Sequence, residues 1–247
     1  MDAVKRLMKY QNYDFKKDFL SFWAVIICVN IGGYILNSSF GRRYVDMRIG
    51  MMSKGSNGVS VAGANLIPIL IFIIAYCIEM YQESFPLAIG FSSTRRNFYK
   101  SVIFSNVIFS MAMAVIEAVL LKADRLIITS IGREPLLDFN YFHIVNDNIL
   151  FIILSLFLAF LTCCGVFNLL GTLVYKFGYK FWIAFGILAT IILNIAGLKN
   201  IIWEGGKTLL LSNNFPSYAM KALIISLMTY VLGWLIIRKV DMKSSKN

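Results

Sequence analysis

Apolar residues in this chain come in six long blocks: Phe19–Asn37, Ala64–Gln82, Ser101–Leu121, Ile149–Gly171, Phe181–Leu198 and Lys221–Ile237. About 20 mostly apolar residues let a helix cross the hydrocarbon core of a bilayer. Each block is near that length and almost none carries an internal charge. A lipid-immersed segment must satisfy its own backbone polar groups, so each block predicts a transmembrane α-helix. The pattern predicts an all-α integral membrane protein with six transmembrane helices. No stretch is long and polar enough for a separate soluble domain, so residues 19–247 read as one six-span domain.

Residues 1–18 read as an interfacial amphipathic helix. Val4, Leu7, Met8, Phe15 and Phe19 fall near one face at helical spacing, and Lys5, Arg6, Lys9, Lys16 and Lys17 supply the charge. Such a helix lies in the headgroup plane, each cation gaining roughly 1 kcal/mol from anionic lipid. No small-residue cleavage site follows the first apolar block, so that block is expected to stay in place as a signal anchor. Small residues spaced four apart, Ala24, Cys28 and Gly32 in span one and Ser110, Ala114 and Ala118 in span three, predict close helix packing.

The net charge of +11 has a membrane explanation and does not call for nucleic acid. An even number of spans puts both termini on one side, and Lys and Arg accumulate in cytoplasmic segments. The segments on the side of the termini hold 14 Lys and Arg against 10 in the longer opposite loops. Both termini are therefore expected in the cytoplasm. The loop at Ser38–Gly63 opposes this bias with Arg42, Arg43, Arg48 and Lys54. Cys28, Cys77, Cys163 and Cys164 all fall inside predicted spans and read as small buried apolar residues.

The polar residues within spans are few. Glu117 lies near the end of span three, where a carboxylate is costly and is a functional candidate by default; pairing with Lys122 or Arg125 is the plainer expectation. Asn30, Asn106, Asn168 and Asn194 suit bonding between helices, and Asn30, Glu117 and Asn194 are candidates for a transport path. The loop Lys122–Asn148 holds the only histidine, His143, and Lys199–Met220 carries an apolar run at Thr208–Leu211. No HExxH, triad or paired intramembrane carboxylates are present, so no catalytic or metal site is expected. Gly205-Gly206-Lys207-Thr208 resembles the end of a phosphate loop, but the pattern needs glycine where Ile201 stands.

Between spans two and three the chain reads EMYQESFPLAIGFSSTRRNFYK, from Glu79 to Lys100. Glu79 and Glu83 end the span, Phe85-Pro86-Leu87-Ala88-Ile89 is a short apolar patch, and Gly90 marks a turn. Ser92, Ser93 and Thr94 are candidate helix caps before Arg95-Arg96-Asn97-Phe98. In this order, and in Phe85, Pro86, Ala88, Gly90, Thr94, Arg95, Arg96, Asn97 and Phe98, the chain resembles the permease subunits of type 2 ABC exporters from Gram-positive bacteria. Gly178, after the short link Tyr175–Phe177, also fits. The resemblance implies a cytoplasmic coupling helix over 84–99 that docks on a separate ATPase subunit. Glu79, Glu83, Phe85, Pro86, Leu87, Ala88, Ile89, Gly90, Thr94, Arg95, Arg96 and Phe98 are then the coupling residues. It also implies that residues 1–18 form a connector helix, that two permeases pair, and that ATP and Mg are bound by the ATPase, with no cofactor on this chain. Spans one, two and five would contact an amphipathic cargo, a peptide such as a bacteriocin, toxin or cytolytic modulin. Two other classes stand beside this one: a non-transporting immunity or sensory subunit, and a secondary transporter or channel, for which neither an internal repeat nor a row of intramembrane charges is present.

Overall fold

The computed structural model describes residues 2–36, 38, 59–91, 93–139, 141–194 and 214–240. The helices are α1 (Asp2–Ile35), α2 (Leu66–Glu79), α3 (Phe85–Gly90), α4 (Arg95–Ser130), α5 (Ile149–Phe177), α6 (Tyr179–Asn194) and α7 (Phe215–Ile237). A small antiparallel hairpin, β1 (Asp138–Phe139) and β2 (Phe142–His143), interrupts the all-α pattern between α4 and α5. Among the described residues, five helical segments are long and apolar enough to cross a membrane: Val4–Ile35, Ala62–Gly90, Arg95–Ser130, Ile149–Phe177 and Phe215–Ile237. The chain is a membrane-embedded helical protein. Of the sixth predicted span, Phe181–Leu198, the shorter α6 covers the described part. Most of the loops Ser38–Gly63 and Lys199–Met220, with Gly205–Thr208, and the cations Lys243 and Lys246 lie outside the described residues.

Helix boundaries depart from the sequence reading in informative ways. α1 passes residue 18 without a break, so the amphipathic and apolar segments share one helix of 34 residues. α4 starts before Ser101 and continues past Leu121 to Ser130, taking Lys122, Asp124 and Arg125 out of the predicted loop. At about 1.5 Å per residue its length is roughly 54 Å, well beyond the hydrocarbon core. Gly178, with φ +61°, ends α5: its N–H donates to the Val174 carbonyl at 2.8 Å, and an L-residue would be strained in that left-handed conformation.

Two compact units divide the contacts. One comprises Met1–Met8, Ile73–Val107 and Leu161–Asn247. In it α2 and α5 touch at Gly171, where a Cβ would lie 2.6 Å from the Cys77 carbonyl oxygen and 2.8 Å from the Tyr81 ring. The absence of a side chain there lets the two backbones meet.

The other comprises Lys9–Phe72 and Ile108–Phe160. The α4 stripe Ser110, Ala114 and Ala118 is fully buried in it, as the small-residue spacing predicted. Phe15 and Phe19 of α1 pack with Phe72 and Phe109; the Phe15–Phe109 ring centroids are 5.1 Å apart, edge to face. The α1 stripe behaves differently. Trp23, Ile26 and Asn30 are the buried row, whereas Ala24 and Cys28 are exposed and Gly32 has no neighbour within 4 Å of its Cβ position. Cys28 sits two residues from Ile26, about 200° around the helix, which corrects its reading as buried. Cys77 and Cys164 are buried and Cys163 is half-buried.

Candidate functional site

The segment after α2 has two faces. Met80–Ser84 forms a wider π-helical turn, and α3 continues from it with Pro86 near its start. π-turns inside α-helical runs are frequent at functional sites. Phe91 then turns the chain, and Thr94 caps α4 by accepting the Asn97 N–H at 3.2 Å, satisfying one of the first-turn donors. Arg95 donates from Nη1 to the Arg238 carbonyl at 2.8 Å, placing a cation at the C-terminal end of α7 where the helix dipole favours it.

Of the twelve residues read as coupling residues, two aromatic rings turn inward. Phe85 and Phe98 are fully buried, 5.0 Å apart edge to face; Phe85 also meets Tyr175 at 5.1 Å and Phe98 meets Tyr81 at 6.0 Å. Ala88 is also buried, and Pro86, Ile89 and Arg95 are half-buried. Glu79, Glu83, Leu87, Gly90, Thr94 and Arg96 are exposed. Phe91, which the sequence reading passed over, is 79% exposed. A phenylalanine that exposed at a turn between two spans is a stronger surface signal than the buried Phe85, and from the sequence its neighbours read only as a turn at Gly90 and caps at Ser92, Ser93 and Thr94.

Behind the aromatic rings lies a chain of buried hydrogen bonds. The Tyr81 hydroxyl donates to Asn168 Oδ1 (2.6 Å), and Asn168 Nδ2 donates to the Tyr99 hydroxyl oxygen (3.2 Å). The Tyr99 hydroxyl donates to the Tyr230 carbonyl (2.6 Å), and Asn106 Nδ2 donates to the Tyr230 hydroxyl (3.1 Å). These bonds join the π-turn, α4, α5 and α7. Two of the four asparagines expected to bond between helices, Asn106 and Asn168, do so here. Gly233 of α7 makes room: a Cβ there would lie 2.6 Å from the Tyr99 hydroxyl.

In the other unit, two carboxylates share the buried stripe of α4. Asp124 accepts from the Tyr34 hydroxyl (2.7 Å), the Ser60 hydroxyl (2.7 Å) and the backbone N–H groups of Val61 (3.2 Å) and Ala62 (3.3 Å). It thereby closes the start of the helical run Ala62–Gly90, whose first donors have no partner within their own helix. Val59 braces the same strap, bonding Glu134 and Leu136 through its backbone. Asp124 was not singled out from the sequence.

Glu117, by contrast, accepts one bond, from Asn65 Nδ2 at 3.3 Å, and its Oε1 has no partner among the described residues. The expected pairing with Lys122 is not formed: that ammonium donates instead to the Ile144 and Asp147 carbonyls. Asn30 is buried in the same unit, and its Nδ2 has no partner among the described residues. Asn194, in the unit that does not hold Asn30 and Glu117, is exposed and donates to the Thr190 carbonyl of its own helix. The five cations of the amphipathic segment, Lys5, Arg6, Lys9, Lys16 and Lys17, are all exposed.

His143 sits in the hairpin, its Nδ1 accepting the Val145 and Asn146 N–H groups and its Nε2 3.5 Å from Asp138. No group of three or more metal-ligating side chains occurs among the described residues. Comparison of the chain with protein-family models, curated proteins and solved structures found no match.

Proposed function

We propose that this chain is the permease subunit of an ATP-driven ABC exporter in a bacterial plasma membrane, with both termini cytoplasmic. A second permease completes the translocation path, and separate ATPase subunits bind ATP and Mg. The cargo is amphipathic, a peptide being the best fit to the aromatic and apolar character of the spans. The observation that carries this reading is the two-faced segment from Glu83 to Arg96. Its inner face, Phe85, Ala88 and Phe98, is tied into the helices, and its outer face offers Glu83, Leu87, Phe91 and Arg96. An exposed apolar centre with charges at its rim suits the groove of a partner protein. Firm anchoring behind it passes a partner's motion to the spans. The cations of residues 1–18 hold the start of α1 at anionic headgroups.

Co-expression with candidate ATPases from the same genome, and purification through a tag on this chain, tests the reading. An ATPase copurifies with the wild type and is lost from Leu87→Asp and Phe91→Asp, both exposed positions. Failure of every such ATPase to copurify with a well-folded wild type contradicts it.

A further inference from the structure

The α4 stripe holds one carboxylate with a full set of donors and one without. Glu117 is fully buried, faces a single amide donor, and leaves Oε1 without a partner among the described residues. Its ionisable neighbours among the described residues add no positive charge. Asp124, seven residues further along the same face, is acidic, and Tyr34 is engaged with Asp124. The nearest lysine in sequence, Lys122, is committed to backbone carbonyls. A bare carboxylate in such surroundings is strongly unfavourable, and an orphaned buried acceptor calls for a partner.

We propose that Glu117 and Asn65 form a buried binding site for one small monovalent cation, a proton or an alkali ion, which supplies the charge that the described residues do not. One carboxylate and one amide balance a single positive charge. They fall short of the oxygen cage that a divalent ion takes, in keeping with the absence of any three-ligand cluster among the described residues. Asn65 stands at the end of the 3₁₀ turn Ala62–Asn65, the strap that Asp124 holds. Occupancy of Glu117 therefore bears on the start of the helical run that continues through the π-turn to α3. The site is independent of any ATPase partner, and its test needs none.

The full-length chain in lipid nanodiscs is unfolded thermally across pH, and across NaCl or KCl with choline chloride as control, beside Glu117→Gln. The amide of the variant carries its own hydrogens and needs no cation. If the ligand is a proton, the wild-type Tm falls relative to the variant by about 3–5 °C for each pH unit above the ordinary carboxyl range, levelling off once folded Glu117 itself gives up the proton. If it is an alkali ion, the wild-type Tm rises by a similar amount, about 3–5 °C, per tenfold increase in Na⁺ or K⁺, with no response in the variant or to choline. Dicyclohexylcarbodiimide, which modifies protonated carboxyls in apolar surroundings, gives a second readout on the wild type alone. Peptide mass mapping then finds Glu117 modified, the reaction suppressed by raised pH for a proton and by the alkali ion otherwise. Parallel Tm responses in the two proteins, together with a Glu117 unmodified under every condition, overturn the proposal.

Discussion

The neighbourhoods of Asp124 and Tyr99 both hold helices together with buried polar groups, and they do so with opposite chemistry. Around Asp124 a charge collects two hydroxyls and two backbone N–H groups, so one side chain closes a helix start and fixes a strap. Around Tyr99 the groups are neutral, and the bonds run in series through Tyr81, Asn168 and Tyr230, each linking one helical segment to the next. A charge-centred knot is hard to loosen, because removing its centre strands every donor at once. A neutral series can lose one bond and keep the rest. The neutral series begins at Tyr81 in the π-turn, the segment that receives a partner's motion under the proposed function. In this account the Asp124 knot serves as a fixed point and the Tyr99 series as the linkage.

Substitutions separate the two. Asp124→Ala should have the largest effect, a loss of about 3–5 kcal/mol or roughly 10 °C in Tm, with Asp124→Asn recovering part of it by restoring one acceptor; thermal unfolding in nanodiscs measures both. Asn168→Leu leaves the Tyr81 hydroxyl without its acceptor and takes one of two bonds from the Tyr99 hydroxyl, which still donates to the Tyr230 carbonyl; it should cost about 2–3 kcal/mol, measured in the same way. Equal losses at Asp124 and Asn168 would erase the distinction between knot and series. Thr94→Ala should cost about 1 kcal/mol by uncapping α4. Phe91→Ser, at an exposed position, should stay within about 0.5 kcal/mol while abolishing ATPase capture. A large stability loss there would mean that Phe91 packs against something other than a docking partner.

The apolar blocks announced their helices because lipid leaves a span few alternatives. What the sequence concealed turns on particular residues. Asp124 looked like the start of a loop because hydropathy counts a carboxylate as a penalty. The donors that cancel the penalty come from Tyr34 and residues 60–62, distant in sequence. Phe85 looked like a docking residue because its face cannot be extrapolated through Met80–Ser84. The wider π-turn breaks the 3.6-residue phase, and the ring that looked outward points inward. Phe91 escaped notice because a lone aromatic beside serines carries no periodic signal. Glu117 was visible as a costly residue, but the commitment of Lys122 to the Ile144 and Asp147 carbonyls was not.

Position-specific crosslinking distinguishes the outer from the inner face of the segment between Glu83 and Arg96. A photoreactive phenylalanine analogue is placed at Phe91 or at Phe85 in the full-length chain, co-expressed with the ATPase that copurifies, and illuminated in native membranes. If the outer face docks, an adduct between this chain and the ATPase forms from position 91 and only intrachain products form from position 85. Adducts from position 85 and none from position 91 would contradict docking by that face.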